Sequence, residues 1–318
     1  MSGGRPVALV LRALGLGDLL AGVPALRGIR RALPGHHLAL ATDPALAGLV
    51  RLVGGVDELL PARGLEPLDV GGRPVDVAVD LHGKGPLSQP VLQRLHPRRL
   101  VAFDCPEVGV QGPIWRRDEH EVRRWCRLVN EDLGDHADPS DLVLAAPAVL
   151  PAVADAVVVH PGAAFGARCW PAERFARVAA DLAARGEHVV VTGSTEEREL
   201  AERVATLAGL EPASVLAGRT DIEQLAALVA AARLVVSGDT GTAHLASAFA
   251  TPSVVLFGPI PPAWWGPPAA GPHAALWHGV EPADPWGDRP DPALLRIQAD
   301  EVLAAVDLVH RSNERTNA

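Results

Sequence analysis

Residues 234–259 read LVVSGDTGTAHLASAFATPSVVLFGP. An apolar, β-branched run from Leu234 to Val236 breaks at Ser237-Gly238-Asp239-Thr240-Gly241-Thr242. It resumes as the helix-forming Ala243 to Ala250, turns at Pro252 and re-enters an apolar run from Ser253 to Phe257. That order predicts strand, loop, helix, strand. A small-residue loop between a buried strand and a helix start leaves backbone N–H groups aimed outward, with the positive end of the helix dipole behind them. Such a loop suits a phosphate. The plainer alternative is that Asp239 and Thr242 cap the helix and the glycines only make the turn.

Outward from this stretch the same alternation recurs. Towards the N-terminus, strands are expected at Val7 to Leu11, His37 to Ala41, Val56 to Leu60, Val75 to Leu81 and Arg99 to Phe103. Helices are expected at Leu19 to Leu33, Pro44 to Leu52 and Leu87 to Leu95. The segment Leu144 to Ala156, rich in Ala and Pro and poor in charge, reads as a linker. The pattern then restarts with strands at Ala156 to His160 and His188 to Val191, a brief one at Val215, and helices at Pro171 to Arg185, Glu196 to Ala208 and Ile222 to Ala231, the last capped by Asp221. A Pro/Trp-rich loop is expected from Gly258 to Pro292, then a last helix from Ala299 to His310 and a frayed polar tail. Alternating strands and helices predict α/β architecture: two Rossmann-like, doubly wound domains, residues 1–148 and 149–318, with a cleft between them.

Composition narrows the function classes. The 318 residues carry 48% hydrophobic side chains, yet no apolar run approaches the roughly 20 residues of a membrane span. The start, MSGGRPVALVLRALGLGD, has no convincing cleavage site and reads as the first strand of a cytoplasmic protein. Cys105, Cys126 and Cys169 are odd in number and widely spaced, which fits a reducing compartment rather than a disulfide framework or a zinc knuckle. A net charge of -9 argues against a nucleic-acid partner. The basic pairs Arg30-Arg31, Arg98-Arg99, Arg116-Arg117 and Arg123-Arg124 read as solvated faces or as contacts to an anionic substrate.

In a doubly wound sheet, ligand loops lie at strand C-termini. Gly15–Asp18 and His82–Gly85 fall there in the first half, and Gly162–Arg168, Thr192–Ser194 and Gly238–Thr242 in the second. Converging N–H-rich loops with one cation make a diphosphate site. There is no G-x-x-x-x-G-K-[ST], which argues against a P-loop kinase or ATPase, and Gly15-Leu16-Gly17 is only a fragment of a dinucleotide fingerprint. No D-x-D pair, H-E-x-x-H or clustered His/Cys calls for a metal, so none is expected.

Four pieces, taken together, resemble a known family: Gly15-Leu16-Gly17-Asp18 with Pro24-Ala25-Leu26; His160-Pro161-Gly162 leading to Arg168-Cys169-Trp170-Pro171; Thr192-Gly193-Ser194 with Glu197; and Ser237 to His244 with Phe257-Gly258-Pro259. In order, over nearly the whole chain, they are similar to the ADP-heptose:lipopolysaccharide heptosyltransferases, glycosyltransferase family 9. The resemblance implies a GT-B fold with the acceptor on the N-terminal domain and the nucleotide-sugar on the C-terminal one. It implies an inverting, metal-independent transfer of a heptose-like sugar from an ADP-heptose-like donor to a glycan or other hydroxyl acceptor. The nucleotide-sugar is then a substrate and no cofactor is implied; contact with a membrane, if any, is peripheral. By position, Asp18 would be the general base and Arg168 would stand where the family usually has Lys. Thr192, Gly193, Ser194 and Glu197 would line the donor site, Glu197 on the ribose, while Asp239, Thr240, Gly241, Thr242 and His244 would hold diphosphate and sugar. The chain departs from the family in that Arg168, whose guanidinium is a planar fork rather than a point charge, and in Asp284-Pro285-Trp286-Gly287, which replaces a cysteine-bearing loop.

Each residue has a plainer alternative. Asp18 reads as a cap for the helix at Leu19. His244 reads as a partly buried imidazole bonded to its own loop, Arg168 as a surface cation, and Glu197 as a first-turn acid serving the helix dipole. Trp264, Trp265, Trp277 and Trp286 either stack on a sugar or base or pack their own loop. Two other functions suit the same architecture: a nucleotide-sugar epimerase or hydrolase, and a catalytically silent nucleotide-sugar-binding protein.

Overall fold

The computed structural model describes residues 4–317, with side chains to residue 312. The chain divides into two compact units, residues 1–144 and 145–318.

In the first unit the order is β1 (Val7–Leu11), α1 (Leu16–Ala21), α2 (Val23–Ala32), β2 (His37–Thr42), α3 (Ala47–Val53), β3 (Glu58–Pro61), β4 (Val75–Asp80), α4 (Gln89–Gln93), β5 (Arg99–Val101) and α5 (Glu121–Leu133). The strands form one parallel sheet, β3-β2-β1-β4-β5. β1 is central, and all five of its residues are buried. That is why it reads as a continuous apolar run rather than as an alternation.

Two features of this unit depart from expectation. The helix expected at Leu19 to Leu33 is two helices with a break at Gly22. A Cβ on Gly22 would lie 2.8 Å from Nε of Arg12 and 3.2 Å from the Leu19 carbonyl, so the arginine passes where a side chain would stand. The other feature is α5, which lies in a stretch where no element was expected. Its buried positions are Glu121, Val122, Arg124, Trp125, Cys126, Leu128 and Val129. Two of these are charged, which hides the apolar stripe in the sequence. α2 packs on the segment that follows α5: a Cβ on Gly28 would lie 2.6 Å from that of Ala137. Asn130 fixes this segment, accepting from the amides of His136 and Ala137 and donating to the Ala137 carbonyl.

The second unit runs β6 (Val157–His160), α6 (Ala172–Ala184), β7 (Val189–Val191), α7 (Arg198–Ala208), α8 (Ile222–Ala230), β8 (Leu234–Gly238), α9 (Gly241–Ala248), β9 (Ser253–Phe257), α10 (Pro262–Trp265), β10 (His273–Trp277), α11 (Pro292–Arg296) and α12 (Ala299–Asn317). Its parallel sheet is ordered β10-β9-β8-β6-β7. Val215 bridges Val191 in parallel, and the amides of Leu216 and Gly218 donate to the carbonyls of Val191 and Gly193. The outermost lane is thus a strand reduced to a single bridge. With that lane counted, both sheets follow the same winding outward from their first strand.

The Pro/Trp-rich segment expected as loop contains α10 and β10, and β10 pairs in parallel with β9 from His273 opposite Ser253 to Trp277 opposite Phe257. The last helix runs on through the polar tail to Asn317. α8 begins with a full capping box between Asp221 and Gln224. The core gathers Trp170, Phe175, Val178 and Leu182 with Val302 and Val306 against β6, β8 and β9.

Charge is unequally divided. Residues 1–144 hold 17 Lys/Arg against 18 Asp/Glu, and residues 145–318 hold 12 against 20. Among the described residues, no helix is long and apolar enough to cross a membrane.

Candidate functional site

In each sheet the chain reverses its winding between two neighbouring strands, β1 and β4 in the first unit, β6 and β8 in the second. The loops leaving those strands diverge to opposite faces and open a crevice at the strand C-termini. Asp18 and the His82–Gly85 loop sit at the first of these points; Arg168 and Asp239 to Thr242 sit at the second.

The second unit brings its three loops together. β6 ends at the buried His160, whose Nδ1 lies 3.1 Å from Oγ1 of the buried Thr192. Burial lowers the His160 pKa against the opposing pull of Glu197, which favours the neutral imidazole. After β7, Ser194 and Glu197 bond reciprocally: the Ser194 amide donates to Glu197 Oε2 at 2.7 Å, and the Glu197 amide donates to Ser194 Oγ at 3.2 Å. Glu197 is the residue preceding α7, and its carboxylate turns back over the loop instead of capping that helix. It occupies the space a Cβ on Gly162 would need and lies against Gly193. A side chain at residue 162 would displace the carboxylate from this position, and one at residue 193 would crowd it.

Arg168 ends a short 3-10 turn, Gly166–Arg168. Its Nε is buried and, among the described residues, has no hydrogen-bond partner. Its carbonyl lies 3.2 Å from where Gly238 would place a Cβ, and Thr240 Cγ2 lies 3.9 Å from the same point. Gly238 closes β8 rather than belonging to the loop. The cap of α9 is Thr240, not Asp239 or Thr242, and Thr240 makes no side-chain capping bond. Its Oγ1 is likewise buried without a partner. Gly241 and Thr242 open the helix, whose first amides have no intrahelical acceptor. Asp239 is buried, with its amide on the Leu256 carbonyl at 3.1 Å.

His244 stands on the first full turn of α9, edge-on to Trp265 with ring centroids 5.7 Å apart. Trp277 donates through Nε1 to the Gly258 carbonyl at 3.0 Å. Trp264 lies on α10, and Trp286 is 67% exposed. The segment after Trp286 covers the arginine turn: the Ala167 amide donates to the Gly287 carbonyl and the Asp291 amide to the Ala167 carbonyl.

In the first unit Asp18 is the third residue of α1, whose cap is Gly15, so Asp18 does not cap that helix. Its carboxylate leans back over the helix start, 3.6 Å from where Gly15 would place a Cβ, and its Oδ1 is 4.0 Å from Nη2 of Arg12. Arg12 is fully buried. Asp80, the last residue of β4, is also fully buried; it accepts from Ser88 Oγ at 2.6 Å and from the His82 amide at 2.9 Å. Burial pushes the Asp80 carboxyl up to about 6, against those donors and Arg12. Burial and the Arg12 charge hold His82 down to about 4. Among the described residues no group of three or more His, Cys, Asp or Glu is placed to hold a metal ion.

Sequence reasoning passed over Arg12, Asp80 and Glu121. Two of them carried a signal: a lone Arg directly after a five-residue apolar strand, and an Asp closing the alternating strand VDVAVD. Such charges at strand ends need a partner when buried.

Comparison with known proteins agrees with this architecture. Residues 114–283, more than half of the chain, match the family described as glycosyltransferase family 9 (heptosyltransferase). That span contains Arg168 through His244 but not Asp18. Lipopolysaccharide heptosyltransferase 3 of Escherichia coli is 33% identical over 156 residues, covering 48% of this chain and 46% of that relative. Here the match spans less than half of the relative's length. Lipopolysaccharide heptosyltransferase 1 of Pseudomonas aeruginosa is 28% identical over 292 residues, covering 81% and 80%. The solved structure of E. coli ADP-heptose lps heptosyltransferase II superposes with a TM-score of 0.77 at 20% identity, over 97% of this chain and 99% of that one, a likeness of fold. With the family matched over most of the second unit and its GT-B fold matched over nearly the whole chain, the chain belongs to glycosyltransferase family 9, the heptosyltransferase family.

Proposed function

We propose that the chain transfers a heptose from ADP-heptose to a hydroxyl of an acceptor glycan, with inversion and without a divalent ion. The observation that carries this reading is that, among the described residues, Arg168 Nε and Thr240 Oγ1 are both buried without a hydrogen-bond partner, on two residues that approach Gly238 through the Arg168 carbonyl and Thr240 Cγ2 at the switch point of the second sheet. A buried polar group without a partner costs about 1–3 kcal/mol, so both atoms favour a ligand with oxygens to offer. Beside a helix start and a guanidinium, a diphosphate fits. The names of the relatives supply the sugar and the nucleotide; the local chemistry supplies the phosphates.

In this reading the second unit holds the donor, with Glu197 on the ribose hydroxyls and Thr192 to Ser194 beneath it. Asp239, Thr240, Gly241, Thr242, His244 and Arg168 hold the diphosphate and sugar. The first unit presents the acceptor. As the acceptor oxygen bonds to the anomeric carbon, Asp18 takes its proton. The bond from that carbon to the diphosphate oxygen breaks, and its electron pair leaves with ADP. Fixed donors at Arg168 and the α9 start meet the charge that develops there, supplying what a metal would otherwise supply. We further place the enzyme in the cytoplasm, with at most peripheral contact to a membrane; three free cysteines fit a reducing compartment.

The test is a panel of nucleotide-sugars read by thermal shift, followed by ADP release with and without EDTA. ADP-heptose should stabilise the protein more than other sugar nucleotides, and turnover should survive EDTA. Arg168→Ala should weaken ADP binding more than adenosine binding. Equal losses for both ligands would rule out a phosphate contact.

A further inference from the structure

We propose that Arg12 is a positioning residue: it ties the helix start carrying Asp18 to the loop leaving β4 and acts on turnover through Asp18. The inference rests on the reading of Asp18 as the base.

Arg12 follows β1 and has no exposed surface. A buried guanidinium is unfavourable unless its donors are spent on fixed acceptors. Here Nε and Nη1 go to separate pieces of chain, while the buried Nη2 has no hydrogen-bond partner among the described residues and is balanced only by charge. Nε donates to the Asp18 carbonyl at 2.5 Å, and Nη1 donates to the Leu81 carbonyl. Nη2 lies between two carboxylates, 4.0 Å from Asp18 Oδ1 and 3.6 Å from Glu121 Oε1. The guanidinium carbon sits 4.9 Å from the centre of the Trp125 ring. That ring is fixed in turn, since Trp125 Nε1 donates to Glu121 Oε1 at 2.6 Å and Glu121 pairs with the buried Arg124. Gly22 leaves the passage through which the side chain reaches α1.

One planar fork thus spans β1, α1, the loop after β4 and α5. A lysine, whose donors all sit on one nitrogen, could not reproduce a fork that meets a carbonyl of α1 and one after β4 from separate nitrogens while facing two carboxylates. General-base chemistry requires the carboxylate within hydrogen-bond reach of the proton it takes, and a displacement of about 1 Å can cost on the order of 10²-fold. Arg12 holds the backbone of Asp18 and is itself the charged neighbour of its carboxylate.

The test joins a double-mutant cycle to a measurement that needs no substrate. Asp18→Asn, Arg12→Gln and the double variant are compared for ADP release from ADP-heptose, with deacylated lipopolysaccharide as acceptor, alongside hydrogen exchange of the free protein. Arg12→Gln should lower kcat by about 10²-fold with donor KM within about twofold. The double variant should be no slower than Asp18→Asn, because the two residues act as one unit. Amide exchange should rise at residues 15–22 and 81–85 and stay unchanged in residues 145–318.

Multiplicative losses in the double variant would overturn the inference and leave the base reading intact. Unchanged exchange at residues 15–22 would also overturn it. If Asp18→Asn keeps its turnover, the base reading fails and the coupling to turnover fails with it, while exchange still decides whether Arg12 ties the two loops. Should Arg12→Gln fold poorly because Glu121 is stranded, Arg12→Gln/Glu121→Gln removes both charges and is compared with Glu121→Gln alone.

Discussion

Asp18 illustrates how one residue's place in a helix separates two roles. As the third residue of α1, after a glycine cap, it has no capping bond to lose. What remains for stability is a first-turn carboxylate facing the helix dipole, worth roughly 0.3–1 kcal/mol, and its 4.0 Å approach to the buried Arg12, a charge that Glu121 at 3.6 Å also balances. Asp18→Asn should therefore lower the melting temperature only slightly while reducing turnover by about 10²–10⁴-fold, the usual worth of general-base help. Melting curves and initial rates on the same preparation check this. A low-melting variant that retains its rate per folded molecule would return Asp18 to a structural role and make Asp239 the next candidate. Asp239 differs from Asp18 in being buried, with its amide tied to β9.

The loop leaving β4 carries two titrations that oppose each other. Asp80 holds its proton up to about 6 in the folded chain against 3.8 ordinarily, so between those values the native state binds more protons and stability falls as pH rises. His82 is held to about 4 against 6.5, so the unfolded chain binds more protons and stability rises with pH from about 4 to 6.5. Relative to the native chain, His82→Gln should melt progressively lower from pH 4 to 6, whereas Asp80→Asn should melt progressively higher. Parallel offsets at every pH would show that neither group titrates as its burial dictates. Packing between helices offers a second check. Gly28→Ala would drive a Cβ into Ala137, on a segment that Asn130 fixes, and should cost about 1–3 kcal/mol in chemical denaturation. What the sequence disclosed follows the same physics. β1, β6, β8 and β9 are buried along their whole length, and each is built on an apolar run, Val7–Leu11, Val157–Val159, Leu234–Val236 and Val254–Phe257. From those strands the ligand loops follow by position, so Asp18, Arg168, Thr192 to Ser194 and Asp239 to Thr242 were legible as strand-end residues. α5 was not, because Arg124 and Glu121 are buried among its apolar positions. The break at Gly22 was missed although Pro24, which has no N–H to carry the first helix on, stands two residues later. β10 was obscured by the prolines and tryptophans that flank it. Arg12, Asp80 and Glu121 gain their meaning only from partners brought together by folding.

The same arrangement recurs in both units: a parallel sheet, a switch point and loops at the strand ends. Their charges differ, however, and the second unit carries almost all of the acidic excess. Its switch point is nonetheless where Arg168 and a helix start would receive a diphosphate. Attraction is then short-ranged and the wider field repulsive, which bears on the kinetics of encounter. Where a site is electrostatically steered, added salt slows association; here it should do the reverse. Raising ionic strength from about 0.01 M to about 0.15 M shortens the Debye length from roughly 30 Å to roughly 8 Å, which hides distant carboxylates while sparing contacts a few ångströms away. Stopped-flow measurement should find ADP arriving faster as salt is added over that range. A slower arrival would mean that the approach is governed by the cations around the site rather than by the charge of the body behind it.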